Sequence, residues 1–272
     1  MTEKRGYLLF QVLNIITVIS VLLVNTLANT LPLFGVNTGQ VSDAYPNFFT
    51  PAGYVFSIWF IIYLQAIIFV IYQGRPSQRG ENYLQKINFF YFFAGLANIA
   101  WIFVFHFSYA GAVLNPLYFL VSVIFLLLVF LMLLLIYLRL RIGTETAHRK
   151  DKLAVHLHVS VYLGWISVAA IAGIASAINI LIPAIPLETQ YLATAAMLFV
   201  ALLLTLLMIY LRREYGLALV VLWAATGIGV KWFTIPIILY AAIAVDIILI
   251  LGLLIIPFLK KSNLIQYYKG PE

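Results

Sequence analysis

Asp246 is a carboxylate set about twelve residues into an apolar run that spans residues 234–259. On a helix rising 1.5 Å per residue it sits roughly 18 Å from the start of that run. An ionisable group at such depth in lipid is costly and marks a proton or polar-substrate site by default. The plainer alternative is a carboxyl that is protonated, or bonded to a polar neighbour, and that only pins two helices together. A second set of residues offers stacking and hydrogen bonding. Trp59 and Tyr63 are four apart, Asn98 and Trp101 three apart, and Tyr162 and Trp165 three apart. Each pair therefore shares one helix face. If the three faces converge, they line a mostly apolar pocket with a few hydrogen-bonding points, which suits a flat lipophilic ligand. The competing reading is bundle packing with interfacial anchoring.

Other chemistry is poorly served. There are no cysteines, which removes disulfides, thiol catalysis and cysteine-ligated metal. His156 and His158 are two apart, so on a helix they point to different faces, and no carboxylate completes a metal site. No glycine-rich phosphate loop and no serine-nucleophile motif is present. The chain therefore reads as a non-enzyme with no catalytic residue and no resident cofactor. His148, His156 and His158 lie in or beside a basic loop, where a solvated or headgroup-facing role is expected. Lys231 invites comparison with retinal-binding lysines, but the third span carries no acid to serve as counter-ion. An interfacial lysine beside Trp232 is the better account.

The elements that must position these residues follow from composition. The 272 residues are 64% hydrophobic and 9% charged, far from a soluble domain. Eight segments approach the ~20 apolar residues of a spanning helix: 8–28, 52–72, 87–107, 113–138, 155–181, 191–211, 217–231 and 234–259. The seventh is short, and merging with a broken eighth helix around Pro236 is its alternative. Continuous runs, without strand-like alternation, argue for helices over a barrel. Fifteen of the 16 lysines and arginines fall at alternate breaks: Lys4 and Arg5; Arg75, Arg79 and Lys86; Arg139, Arg141, Arg149, Lys150 and Lys152; Arg212 and Arg213; then Lys260, Lys261 and Lys269. Only Lys231 falls outside this rhythm. Eight spans with both termini cytoplasmic satisfy the positive-inside rule, so the chain is expected in the cytoplasmic (inner) membrane as a multi-pass, all-α bundle. The first run is too long for a signal peptide and carries Gln11 and Asn14. The net charge of +7 suits anionic lipids; no basic stripe with interleaved aromatics points to nucleic acid. The outer segment 29–51, with Pro32, Gly35, Gly39 and Pro46, reads as an ordered lid or turn-rich loop. No internal repeat is visible, which weakens an inverted-repeat transporter.

Three motifs carry a resemblance. Thr50-Pro-Ala-Gly-Tyr-Val-Phe-Ser-Ile-Trp-Phe-Ile-Ile-Tyr63, Asn98-x-x-Trp101 and Tyr162-x-x-Trp165-x-Ser-x-Ala169 occur in order on spans two, three and five. They resemble the Pro-Pro-x-x-Val-Phe-Gly-Pro-Val-Trp-x-x-x-Tyr, Asn-x-x-Trp and Tyr-x-x-Trp-Val-x-x-Ala motifs of the tryptophan-rich sensory protein/translocator protein (TspO/MBR) family. The second proline is Ala52 here, the Phe56–Trp59 spacing is one residue shorter, and Gly173 replaces an asparagine. The resemblance covers residues 1–182 and implies a five-helix core, with 183–272 as additional C-terminal spans, similar to a longer bacterial branch. It implies a cavity for tetrapyrroles, or sterols in eukaryotic members, closed by the first outer loop, and a homodimer. The expected partners are then membrane lipids and a small hydrophobic ligand, a porphyrin for instance, held by Trp59, Tyr63, Asn98, Trp101, Tyr162 and Trp165. A proton-linked transporter using Asp246 is the rival expectation.

Overall fold

The computed structural model describes residues 2–31 and 33–259, with side chains from Tyr7 onward. Pro32, the side chains of Lys4 and Arg5, and the lysines Lys260, Lys261 and Lys269 lie outside the described residues. Among the described residues there is no strand. The chain forms helices α1 (Thr2–Thr30), α2 (Thr38–Ala44), α3 (Ile58–Gln73), α4 (Asn82–Ile87), α5 (Phe90–Phe107), α6 (Pro116–Arg139), α7 (Arg149–Leu181), α8 (Leu187–Arg212), α9 (Tyr215–Lys231) and α10 (Pro236–Leu259). Among the described residues seven helices are long and apolar enough to cross a membrane, namely α1, α3, α5, α6, α7, α8 and α10. The protein is a multi-pass, all-α membrane bundle.

The weak seventh run becomes a helix of its own. α9 has 17 residues, roughly 25 Å of helix, and residues 232–235 turn the chain before α10 begins. Eleven of its 17 residues are buried, and its exposed positions Leu219, Trp223 and Val230 share one narrow face. It packs against α7, α8 and α10. Gly164 of α7 permits a close approach: a Cβ there would stand 3.3 Å from the Leu217 Cα and Val220 Cβ of α9. Small residues at such crossings let backbones close up where the hydrophobic effect supplies no drive. The third run differs from expectation in another way. Asn88 adopts φ 50° and separates the short α4 before the run from α5, which starts at Phe90 and not Ile87; its side-chain oxygen accepts from the Phe89 N–H at 2.7 Å.

The charge rhythm is realised as two chemically distinct ends. On the basic face, Arg139 donates to the carbonyls of Lys86 (2.7 Å) and Gln85 (3.2 Å). Lys86 pairs with Glu145 at 2.9 Å, and the Tyr72 hydroxyl donates to Asp151 at 2.7 Å. Lys86 and Arg141 together hold the Glu145 carboxyl below its ordinary range. On the opposite face the exceptional Lys231 pairs with Asp43 at 2.8 Å, and its ammonium stands 5.5 Å from the Trp232 ring centre.

Two histidines contradict the sequence expectation. His148 is exposed, but His156 and His158 are both buried. The basic loop ends earlier than its charges suggest: helix starts at Arg149, and a π-helical turn over Lys152–His156 already buries Lys152, Ala154, Val155 and His156. His158, 1% exposed, exchanges a hydrogen bond with the Tyr91 hydroxyl at 2.8 Å and stacks on Phe69 and Tyr162.

Candidate functional site: an aromatic cavity under a tethered lid

The three aromatic pairs converge. Trp59 of α3 is the hub: it stacks on Tyr63 (ring centres 5.5 Å) and Trp101 (6.3 Å) and meets Tyr162 (6.1 Å) and Trp165 (6.2 Å) nearly edge-on. α3, α5 and α7 each supply a face because their pairs are spaced by one helical turn. Asn98, fully buried, donates to the Tyr162 hydroxyl at 3.2 Å and accepts from Asn25 of α1 at 2.8 Å. Asn98 thus ties α1, α5 and α7 together. Asn25 is a residue sequence reasoning passed over; an amide inside an apolar run was its only signal.

The six residues do not line one pocket. Trp59, Trp101 and Trp165 wall a cavity of about 70 Å³ together with Thr50, Phe105 and Ser176. Tyr63 and Tyr162 face a second cavity of about 20 Å³, on the basic side, which they share with Trp59, Tyr91 and His158. Trp59 is the partition between the two. Asn98 stands behind both, and its bonds fix the Tyr162 ring. The Trp165 indole nitrogen is buried and has no hydrogen-bond partner. A buried unmet donor costs about 1–3 kcal/mol, so this N–H is a ready contact for an acceptor entering the cavity. Gly173, where the family motif has asparagine, also lines the larger cavity, leaving it wider and less polar there.

Residues 33–51 form an ordered segment over the cavity, held by polar tethers between Asn37 and Thr50. Asn37 caps α2 reciprocally with Gln40, and the Thr38 hydroxyl bonds His106 at 3.0 Å. The Tyr45 hydroxyl donates to the Ser108 carbonyl (2.6 Å) and accepts from the Asn115 N–H (3.0 Å). Asn47 donates to Thr50 and to Ser176 of α7, each at 2.7 Å. Ser176 in turn donates to the Tyr45 carbonyl at 2.6 Å. Thr38, Asn47 and Ser176 all contribute to the wall of the larger cavity, so the tethers are also its roof.

α9 forms the mouth of the site. The stretch from Thr50 into the turn Gly53–Ser57 lies along it: the Trp223 indole N–H donates to the Val55 carbonyl (3.1 Å) and the Trp232 indole N–H to the Thr50 carbonyl (3.3 Å). The Ala52 N–H donates to the Gly227 carbonyl at 3.0 Å. A Cβ at Gly227 would overlap the Val55 methyl and stand 3.2 Å from Pro51. Proline has no N–H to give. The alanine that departs from the family's second proline therefore supplies one of the three hydrogen bonds between α9, with its C-terminal turn, and this stretch, the one a proline could not make.

Asp246 lies apart from these walls. The Thr226 hydroxyl of α9 reaches its Oδ2 at 2.9 Å, while its Oδ1 is buried without a partner. Lys231, as expected, pairs elsewhere.

No curated protein and no solved structure matches this chain. A family model described as TSPO-like protein matches residues 11–255, a stretch that contains all three aromatic motifs and also α8, α9 and nearly all of α10. With the ordered motifs converging in one bundle, that match over most of the chain settles its kinship: the chain belongs to the TSPO-like protein family.

Proposed function

We propose that this protein binds a flat hydrophobic ligand, of porphyrin or lipid-like class, in the aromatic cavity beneath the 33–51 lid, in a sensory or transport role. The basic face is cytoplasmic and the lid faces outward, by the charge rule. The observation that carries the reading is the Trp165 N–H, buried, unmet, and set among tryptophans from three helices. Trp59 and Trp101 supply stacking surface, and Trp165 supplies a donor to a carboxylate or carbonyl of the ligand. Binding uses contacts alone and no covalent step. At about 70 Å³ the cavity holds a few waters, well below the ~300–1,000 Å³ of a ligand pocket. Binding therefore requires the lid to lift and Trp59 to turn, which merges the two cavities.

A Soret-band titration of the purified protein with protoporphyrin tests this. Saturable binding that is lost in Trp59→Ala with Trp165→Ala is expected. No saturation, or binding indifferent to that double substitution, overturns the reading.

One observation favours a second reading. Thr226 has a single hydroxyl proton and two acceptors at 2.9 Å, the Leu222 carbonyl and Asp246. Either the one proton is shared between the two acceptors, or Asp246 carries a proton of its own and donates it to the Thr226 oxygen, which gives two full hydrogen bonds. A proton-linked transporter of a small lipophilic substrate would use such a group. Uptake into proteoliposomes driven by a pH gradient and abolished in Asp246→Asn supports it; gradient-independent flux removes it.

A further inference from the structure

Glu214 is the acid the ligand site does not use. It occupies the two-residue turn between α8 and α9, where Arg213 takes a left-handed conformation (φ 56°), and it is 3% exposed. The Ser160 hydroxyl of α7 and the Leu217 N–H of α9 act on its carboxyl, and the Tyr137 hydroxyl of α6 stands near enough to add to their pull. Hydroxyls both donate and accept, so this shell can serve the ionised and the protonated carboxyl. Arg212 is the nearest opposite charge. Its guanidinium lies 5.4 Å from the Tyr137 ring centre and donates to the Ile142 carbonyl at 3.4 Å. The remaining charged or titratable groups of this corner are Arg213 and Lys152, close enough for their charges to interact, with His156, which feels Lys152, and Tyr215.

We propose that Glu214 is a proton-binding site on the basic face that sets how firmly α9 is seated and, through that helix, how tightly the mouth of the aromatic cavity is held. The first turn of α9 begins at the residue after Glu214; Trp223 at its middle, Gly227 in its last third and Trp232 just past its end make the three contacts that grip residues 50–55. α9 is continuous between these points and buried along most of its length, so a shift at one end has few ways to dissipate. The coupling to ligand rests on the binding function proposed above; the proton site and its effect on α9 do not.

The direction follows from burial. Removal from water pushes the Glu214 carboxyl up to about 7, against the pull of its hydroxyl partners and Arg212. A released carboxyl returns to its ordinary value near 4.3. The seated turn thus holds a proton that the released turn gives up, so seating is favoured at low pH and weakens as pH rises through about 7.

Hydrogen exchange of the protein in lipid nanodiscs, corrected for intrinsic rates, tests the proposal. Protection of the Leu217 and Ala52 amides should fall about tenfold between roughly pH 6 and pH 8, and Glu214→Gln should flatten both profiles. Infrared spectroscopy provides a readout that needs no variant to fold well. The wild-type protein should show a protonated-carboxyl band that disappears around pH 7, and Glu214→Asp should retain such a band with a displaced midpoint. Protoporphyrin affinity should weaken over the same pH range in the wild type only. Exchange that is flat in the wild type, or equally steep in Glu214→Gln, overturns the proposal. Absence of porphyrin binding alongside pH-dependent exchange overturns the ligand function alone.

Discussion

At the scale of single residues, the site depends on groups whose partners lie far away in sequence. Ala52 has φ −60°, which a proline ring accepts without strain. Ala52→Pro should therefore delete one hydrogen bond to Gly227 and little else, costing about 1 kcal/mol, read as a small drop in thermal midpoint with faster exchange at residues 50–57. Gly227→Ala should cost more, about 1–3 kcal/mol, because the added methyl meets Val55 and Pro51 and α9 must move away. Thermal unfolding in detergent separates the two: equal losses would mean that the close approach at Gly227 is not a constraint. Asn98→Leu leaves both the Asn25 amide and the Tyr162 hydroxyl short of a partner. A loss of about 1–3 kcal/mol is expected, with a weaker porphyrin affinity because the Tyr162 ring is freed. The tryptophans, tyrosines and Asn98 were legible as a set because helical spacing puts each pair on one face. Their division between two cavities was not, since which wall a ring joins depends on the rotation of α3 against α7. His158 was misread because a run of basic residues ends at Lys152, only six positions before it, while its neighbours in space are Tyr91, Phe69 and Tyr162.

At the scale of elements, the lid and α9 hold the cavity from two sides. The lid contains proline and glycine and reads as a loop, yet its order comes from Tyr45 and Asn47 bonding to α7 and to the α5–α6 connection. Removing the Asn47 tethers should loosen the lid without touching the aromatic walls. Asn47→Ala is expected to raise the porphyrin association rate several-fold and to increase exchange in α2, with equilibrium affinity changed less. Stopped-flow mixing decides this; an unchanged association rate would place the entry barrier elsewhere, at Trp59. The boundaries of the long helices were readable from apolar runs and their flanking charges. The break at Asn88 and the π-turn at Lys152–His156 were not, because both arise where tertiary contacts override a continuous local pattern.

At the scale of the whole molecule, the C-terminal helices do more than extend a five-helix core. α9 packs on α7 and bonds to the signature stretch, so the second part of the chain braces an aromatic site whose lining residues all come from the first. Residues 1–182 expressed alone should lack saturable porphyrin binding, and co-expression with residues 183–272 should restore it. Full binding by the shorter piece would make the C-terminal part dispensable to the site. The sequence by itself determined the membrane as solvent, the count of apolar runs, the alternation of breaks that carry lysine and arginine with breaks that do not, and the three aromatic faces. Those follow from composition and from periodicities of 3.6 residues, which each segment carries locally. Only the tertiary structure decided that α9 is the strut of the cavity mouth, that Trp59 divides two cavities, and that Glu214 and His158 are buried. Each of these depends on how helices distant in sequence rotate and approach, and small residues such as Gly164 and Gly227 permit that approach without announcing their partners.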